Sequence, residues 1–176
     1  SSQEDLESWL ASENRDHRIK AMRHLFSYSG ISSPSVFEPL HKKLQANMSK
    51  TVMDDTPLMD ELGWIVKALS SSGDERYKAT IEQLAKNSKN ARLERHAKNV
   101  LKLFEEFSLW NRLYEGVDSF EPRNTPKRIE AYKRLIAVEG EYAARIRVAA
   151  LKKIYDYSGI TDAGLFAVLK NQIMDT

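Results

Sequence analysis

Apolar residues recur along most of the chain at the spacing of three and four positions that gives a helix one buried face. Leu6, Trp9 and Leu10 follow this spacing in a first short helix over 3–12. No stretch shows the alternation of apolar and polar residues that a half-buried strand requires. The pattern therefore predicts an all-α protein of eight or nine helices without a sheet.

Capping residues, prolines and glycines divide the apolar pattern into separate helices. Three predicted starts combine an N-cap residue with a proline in the first helical position, namely Ser33-Pro34, Thr56-Pro57 and Thr125-Pro126. Asp16 and Asp74 open two further helices, and Gly30 is expected at the left-handed position that ends the first of these. The longest apolar pattern begins near Asn90 and predicts one helix that extends to Gly116.

The chain contains an internal repeat. Residues 18–44 align without a gap onto residues 147–173, which lie 129 positions later. The identical residues of the first copy are Arg18, Ala21, Tyr28, Ser29, Gly30, Ile31, Phe37 and Leu40. Each copy has the order helix, glycine, helix, so the repeated unit is a helical hairpin and the chain is predicted to be a short helical array.

The helix of the second copy carries a further pattern. A branched apolar residue, an arginine and small residues follow one another in 146–150, and Ile154 completes the apolar face. This segment resembles the second helix of HEAT-repeat hairpins, and 93–101 is similar without the arginine. The resemblance implies an α-solenoid of about four stacked hairpins in a single domain over 1–176, with an irregular loop near 117–125. Armadillo-type and other helical-hairpin arrays remain alternatives.

Composition narrows the functional classes. The 176 residues are 41% apolar and 30% charged, which is typical of soluble globular proteins. A net charge of +2 does not by itself indicate nucleic-acid binding. The sequence contains no cysteine, which excludes disulfides, thiol catalysis and zinc–thiolate sites. No apolar run is long enough to cross a membrane. We expect a soluble protein and favour the cytoplasm over a processed extracytoplasmic domain.

Motifs of catalysis and metal binding are not found in the sequence. It has neither a GxSxG elbow nor a glycine-rich phosphate loop. His17 and His24 share a helix face, but no pair of carboxylates accompanies them. The densest acidic group lacks the spacing of an EF-hand and consists of Asp54, Asp55, Asp60 and Glu61. We therefore predict a protein that is not an enzyme and that uses no metal or cofactor.

Trp64 is the aromatic residue that departs most clearly from an apolar stripe. It lies on the side of its helix that also carries Asp60 and Lys67, away from the apolar positions. Tryptophan outside a core is frequent among the residues that dominate protein recognition. The alternative is that Trp64 packs on a neighbouring repeat, because stacked helices bury two faces.

Basic residues form a stripe on three predicted helices, namely the first helix of each repeat copy and the helix that begins near Asn90. The HEAT resemblance implies that these are second helices of hairpins and line a concave surface. A solvated helix face is the alternative for such a charge pattern. With Trp64, the candidate partner-binding residues are Lys20, His24, Lys67, Arg92, Arg95, Lys98, Lys102, Lys152 and Lys153. Arg18 and Arg147 border the apolar stripe instead, and we expect them to bridge neighbouring repeats.

The preferred functional hypothesis is a scaffold module that binds an acidic or extended protein or peptide along a basic concave face. One alternative is a nucleic-acid-binding protein similar to the DNA glycosylases that have HEAT-like repeats. A second is an enzyme of the phycobilisome-lyase type, whose members also carry such repeats and need a tetrapyrrole pocket. A third is a structural domain of a longer chain.

Overall fold

A computed structural model describes residues 3–50, 56–117, 120, 125–156, 164, 167–168 and 170–171. Within these ranges the protein is all-α and contains no strand, which confirms the predicted helical class, while the α-solenoid of stacked hairpins stays a prediction. The nine helices of the described residues are α1 (Gln3–Leu10), α2 (Arg15–Phe26), α3 (Pro34–Asn47), α4 (Thr56–Ser71), α5 (Glu75–Asn87), α6 (Ala91–Leu101), α7 (Phe104–Leu113), α8 (Pro126–Ile136) and α9 (Ala143–Asp156).

The chain divides into two compact units, Ser1–Leu109 and Trp110–Thr176. The single domain expected over 1–176 stays a prediction. Most of the irregular loop expected near 117–125, and most of a last helix expected over 162–174, lie outside the described residues. None of the described helices is long and apolar enough to span a bilayer.

Local capping explains where several helices begin. The first amide groups of a helix have no partner inside it, and a side-chain oxygen at the N-cap satisfies one of them. This happens at the starts of α2, α5, α6 and α8, where the accepting N-cap residues are Asn14, Asp74, Asn90 and Thr125. The starts predicted at Asp74 and at Thr125-Pro126 are thereby confirmed.

The end of α2 differs from the prediction. The helix ends at Phe26 with Ser27 as its C-cap, and Tyr28 takes the left-handed conformation with a φ of 55°. Gly30 is left-handed as expected, with a φ of 77°, but it lies four residues after Phe26 and is therefore not the C′ residue of α2. Tyr28 is held there by a contact that is distant in sequence, because its hydroxyl donates a hydrogen bond to Glu106 and its ring packs on Phe107.

The long helix predicted over 90–116 is also wrong, because the structure has two helices, α6 and α7, in its place. The amide of Leu103 donates to the carbonyl of Val100 at 2.9 Å, a bond of the tighter 3₁₀ type that closes α6. Buried apolar residues continue across the break at Val100, Phe104 and Phe107. Because these residues keep the helical spacing across the break, the sequence pattern does not indicate that α6 ends there.

In the first unit, helices that follow one another in sequence pack in pairs. Contacts join α1 to α2, α3 to α4, and α5 to α6, while α2 and α6 each also pack on α4. α4 is therefore the central helix, and Leu62, Ile65 and Leu69 on it are completely buried. Each such side chain stabilises the fold by about 1.5 to 3 kcal/mol relative to an exposed position. The helices of the first repeat copy, α2 and α3, belong to different pairs, so the hairpin expected over 18–44 is not one of the packed pairs.

The second unit is built around α8 and α9, which pack on each other. Leu135 and Ile136 of α8 and Ile146 and Ala150 of α9 are buried. Arg134 of α8 also binds the end of α7, since its guanidinium donates to the carbonyl oxygen of Leu113 at 2.8 Å and to that of Glu115 at 3.2 Å.

The two arginines of the repeat have related but unequal contacts. Arg18 of α2 donates to the carboxylate of Glu61 on α4 and to the carbonyl oxygens of Ser12 and Glu13, so it connects α2 to α4 and to the turn before α2. Its expected role between neighbouring repeats stays a prediction. Arg147 donates to the carbonyl oxygen of Val138 in the turn before its own helix. Among the described residues it has no carboxylate partner that corresponds to Glu61.

Candidate binding surface around Trp64

α4 is buried around most of its circumference and leaves one strip partly open to solvent. The strip consists of Asp60, Trp64 and Lys67, which are four and three positions apart and so share a face. α2 and α6 both pack on α4, so side chains from these two helices also contribute to this face, as the contacts of Arg23 and Arg92 show. We call the group formed by Arg23, Asp60, Trp64, Lys67, Arg92 and His96 the Trp64 surface.

The indole of Trp64 is half-buried and lies against two cations. Nζ of Lys67 is 4.2 Å from the ring centroid, and Cζ of Arg23, from α2, is 4.9 Å from it. A cation held over an aromatic face contributes about 0.5 to 1 kcal/mol when the site is exposed. Trp64 therefore lies off the core of α4, as the apolar stripe predicted, with basic groups beside its ring.

Asp60 links all three helices of this surface. Its two carboxylate oxygens accept hydrogen bonds from Arg15 of α2 at 2.8 Å and from Arg92 of α6 at 2.9 Å. Arg92, one of the candidate residues, is thus positioned beside Trp64 by an ion pair. The same pairing leaves the carboxylate charge of Asp60 shared between two guanidinium groups.

The acidic residues that were considered as metal ligands form ion pairs wherever the structure describes them. Asp60 accepts from two arginines, while Glu61 is bound by Arg18 and by Lys43, whose Nζ is 2.8 Å from Oε2. Asp54 and Asp55 lie outside the described residues. Among the residues that the structure does describe, no group of three or more His, Asp or Glu side chains could hold a metal ion.

Burial and neighbouring positive charges lower the pKa values of His96 and Lys67. The His96 ring lies directly over Gly63 of α4, where a Cβ would be only 3.0 Å from Cδ2 of the ring. Burial lowers the pKa of His96, and the positive charges of Lys67 and Arg92 lower it further. Burial also lowers the pKa of Lys67, with the charges of Arg23 and Arg92 acting in the same direction. These groups therefore lie in a positive field that an anionic partner would neutralise.

An exposed tryptophan, Trp9, lies elsewhere in the first unit. Trp9 of α1 stacks on His17 with ring centroids 5.0 Å apart, and Nζ of Lys20 is 5.6 Å from the Trp9 ring centroid. Lys20, which was predicted as part of the basic face, is thus directed to Trp9. This pair resembles Trp64 and Lys67 in chemistry and provides a matched control for experiments on the Trp64 surface.

The remaining candidate residues are distributed over both units. His24 on α2 is exposed, as are Arg95 and the α6 C-cap residue Lys102. Lys98 is exposed but forms an ion pair with Glu94 of its own helix, at 2.5 Å. Lys152 and Lys153 belong to α9 in the second unit, the former exposed and the latter half-buried.

Three of the ten candidates, Trp64, Lys67 and Arg92, are therefore brought together by the structure. Arg23 and His96 complete the surface and were not among the predicted contacts. Arg23 could be recognised in the sequence as a basic residue on the same helix as Lys20, but its contact with Trp64 depends on how α2 packs on α4.

The chain was compared with protein families, with curated proteins and with solved structures, and no match was found in any of the three.

Proposed function

We propose that the protein is a non-enzymatic interaction module built as an α-solenoid of HEAT-like hairpins. The contact pattern of the first unit supports this proposal. Consecutive helices form the pairs α1–α2, α3–α4 and α5–α6, and the second members of the pairs are in contact with one another through α4. Stacked hairpins of helical repeat proteins have this arrangement, and they use the surface of one helix layer to bind partners.

The partner that we propose is an acidic segment of another protein, bound at the Trp64 surface. The observation that carries this proposal is the half-buried Trp64 ring with Arg23 and Lys67 against it. Around it, four cationic side chains (Arg15, Arg23, Lys67 and Arg92) accompany one carboxylate, Asp60. Tryptophan and arginine are the residue types that most often dominate the free energy of protein association.

An acidic protein segment suits this surface better than nucleic acid. Phosphate backbones are usually bound by an extended basic stripe. Here two members of the predicted stripe are engaged by carboxylates, Arg92 by Asp60 and Lys98 by Glu94. The small net charge of +2 points in the same direction. Binding of nucleic acid is accordingly the outcome that would speak against the proposal.

The test is capture of proteins from a native lysate of the source cells by the immobilised chain, at low and moderate salt. Trp64→Ala combined with Lys67→Glu removes the centre of the surface, and Trp9→Ala combined with Lys20→Glu makes the same changes at the exposed Trp9. Circular dichroism first establishes that both variants are folded.

We expect one acidic protein to be retained by the wild type and by the Trp9 control, and to be lost from the Trp64 variant. With the purified partner, the Trp64 variant should bind at least about thirty times more weakly, as for a recognition hot spot. Equal capture by both variants, or retention of nuclease-sensitive material in place of a protein, would contradict the proposed function.

A further inference from the structure

The described part of α9 presents an apolar face to solvent. Val148 is 51% exposed, Leu151 44% and Tyr155 87%. With Lys152 and Ile154 these residues line an open groove of about 610 Å³. The opposite side of the same helix, which includes Ile146 and Ala150, is buried. α9 thus has one face covered and one apolar face open.

In the first copy of the internal repeat, the residues that correspond to the open face of α9 are buried. α2 and α9 correspond in sequence, and Val148 and Leu151 correspond to Ile19 and Met22. Ile19 is only 8% exposed and Met22 only 1%, on a helix that packs on both α1 and α4. α8, which precedes α9, packs on it as α1 packs on α2. No described helix takes the place of α4 on α9.

The repeated arginine has a carboxylate partner in the first copy, and the described part of the second copy has no equivalent of that carboxylate. In the first copy, Nε of Arg18 donates to the carboxylate of Glu61 on α4. The corresponding Nε of Arg147 is buried, and no group in the described part of the chain accepts a hydrogen bond from it. A buried donor without an acceptor is unfavourable, so a carboxylate that reaches Arg147 would stabilise the complex.

We propose that the open face of α9 binds an amphipathic helix of a partner protein, in the position that α4 occupies on α2. The bound helix carries apolar residues at a spacing of three and four, and a carboxylate before them pairs with Arg147. α4 itself shows the required pattern in Glu61, Leu62, Ile65 and Leu69. This binding site lies within the second unit and does not depend on the Trp64 surface.

Charge complementarity favours an acidic partner helix over a second copy of this chain. The face carries Arg147 and Lys152, with Arg145 on the same helix. Two copies of α9 facing each other would bring these positive charges together, which is unfavourable. α4 of a second copy is not available either, because its apolar side is buried in the first unit.

The test uses a synthetic peptide with the sequence of residues 56–71, labelled with fluorescein, as a probe that has the expected helix pattern. It is titrated with the full chain and binding is followed by fluorescence anisotropy. Leu151→Asp and Arg147→Gln alter the proposed site at positions that remain partly exposed, and the Trp64→Ala, Lys67→Glu variant serves as the control.

We expect saturable binding that Leu151→Asp weakens at least about tenfold and that the Trp64 variant leaves unchanged. Glu61→Gln in the peptide and Arg147→Gln in the protein should each weaken binding. Together they should weaken it by less than the product of the two separate factors, because they remove the same contact.

Three outcomes would overturn the inference. One is peptide binding that is unaffected by Leu151→Asp. Another is independent, multiplicative effects of Glu61→Gln and Arg147→Gln. The third is self-association of the chain without peptide, detected by sedimentation and abolished by Leu151→Asp, which would assign the face to a second copy. Because the Trp64 variant retains an intact α9, loss of lysate capture and loss of peptide binding are distinguishable results.

Discussion

The hydroxyl of Tyr28 donates a hydrogen bond of 2.5 Å to Oε2 of Glu106, although the two residues are 78 positions apart in the chain. Glu106 is completely buried on α7, and Tyr28 has a φ of 55°, a conformation that costs a residue with a side chain about 1 to 2 kcal/mol. The bond therefore connects the turn after α2 to α7 and offsets the strain of that turn.

Removal of this hydroxyl tests its contribution. Tyr28→Phe should lower the free energy of unfolding by about 1.5 to 3 kcal/mol, the usual range for a hydrogen bond to a charged group. Urea denaturation measures the change. Tyr155→Phe makes the same chemical change on an exposed side chain and should alter stability by less than about 0.5 kcal/mol. Equal stabilities of the two variants would show that the bond contributes nothing.

The ion pairs of Glu61 predict a pH-dependent stability. Burial raises the pKa of Glu61, but the hydrogen bonds and charges of Arg18 and Lys43 more than offset this, so its pKa lies below the ordinary value of 4.5. The unfolded chain therefore binds the proton first as the pH falls. The stabilisation is complete above pH 4.5 and is lost as the pH falls through the lower pKa of the folded state.

Glu61→Gln should accordingly lower the free energy of unfolding by about 2 to 3 kcal/mol at pH 7. The difference from the wild type should become smaller as the pH is lowered below 4.5. Guanidinium denaturation over a series of pH values measures both effects. Glu4→Gln, at an exposed position of α1, is the control and should follow the wild-type curve. A difference that stays constant with pH would contradict the assignment.

Two glycines with positive φ predict different costs for the same substitution. Gly73 has a φ of 65°, and a Cβ there would lie 2.6 Å from the backbone of Ser108. Gly116 has a φ of 85° with nothing within 4 Å of such an atom. Gly116→Ala should cost only the conformational strain, about 1 to 2 kcal/mol. Gly73→Ala should cost at least about 3 kcal/mol, since it must also displace backbone.

Thermal or urea unfolding of the two glycine variants measures the loss of unfolding free energy in each. A cost at Gly73 no larger than that at Gly116 would show that the close approach to Ser108 is relieved without loss of packing.

The lowered pKa of His96 predicts a second pH dependence of stability, at higher pH than that of Glu61. Its pKa is lowered by burial and by the neighbouring charges of Lys67, Arg92 and Arg95, while Asp60 acts in the opposite direction. The unfolded chain therefore takes up this proton near pH 6.5, before the folded protein does. Stability falls as the pH decreases from 6.5 toward the lower pKa of the folded state.

His96→Gln removes this titration, so the variant should lose less stability than the wild type between pH 7.5 and about pH 5.5. Urea denaturation at the two pH values measures the difference. Asn99→Gln changes an exposed residue of the same helix and should retain the wild-type dependence. Identical slopes for wild type and His96→Gln would mean that the ring titrates alike in the folded and unfolded chains.

Helix positions were largely predictable from the sequence because they depend on local features. Asp74 and Thr125 cap α5 and α8 as expected, since an N-cap bond involves residues two or three positions apart. Two features that were predicted wrongly, the C′ residue of α2 and the end of α6, have no local signal. Tyr28 adopts its conformation through a contact with Glu106, and apolar spacing continues from Val100 to Phe104 across a real break.

The sequence by itself determined the helical class, most helix limits and the position of Trp64 and Lys67 on one face of α4, because the period of 3.6 residues relates neighbours on a helix. Only the tertiary structure decided which basic residues join them. Arg23 and Arg92 reach the Trp64 surface, whereas Lys20 is directed to Trp9 and Lys98 to Glu94. The register of one helix against another arises from packing between segments distant in sequence, and single-chain periodicity carries no information about it.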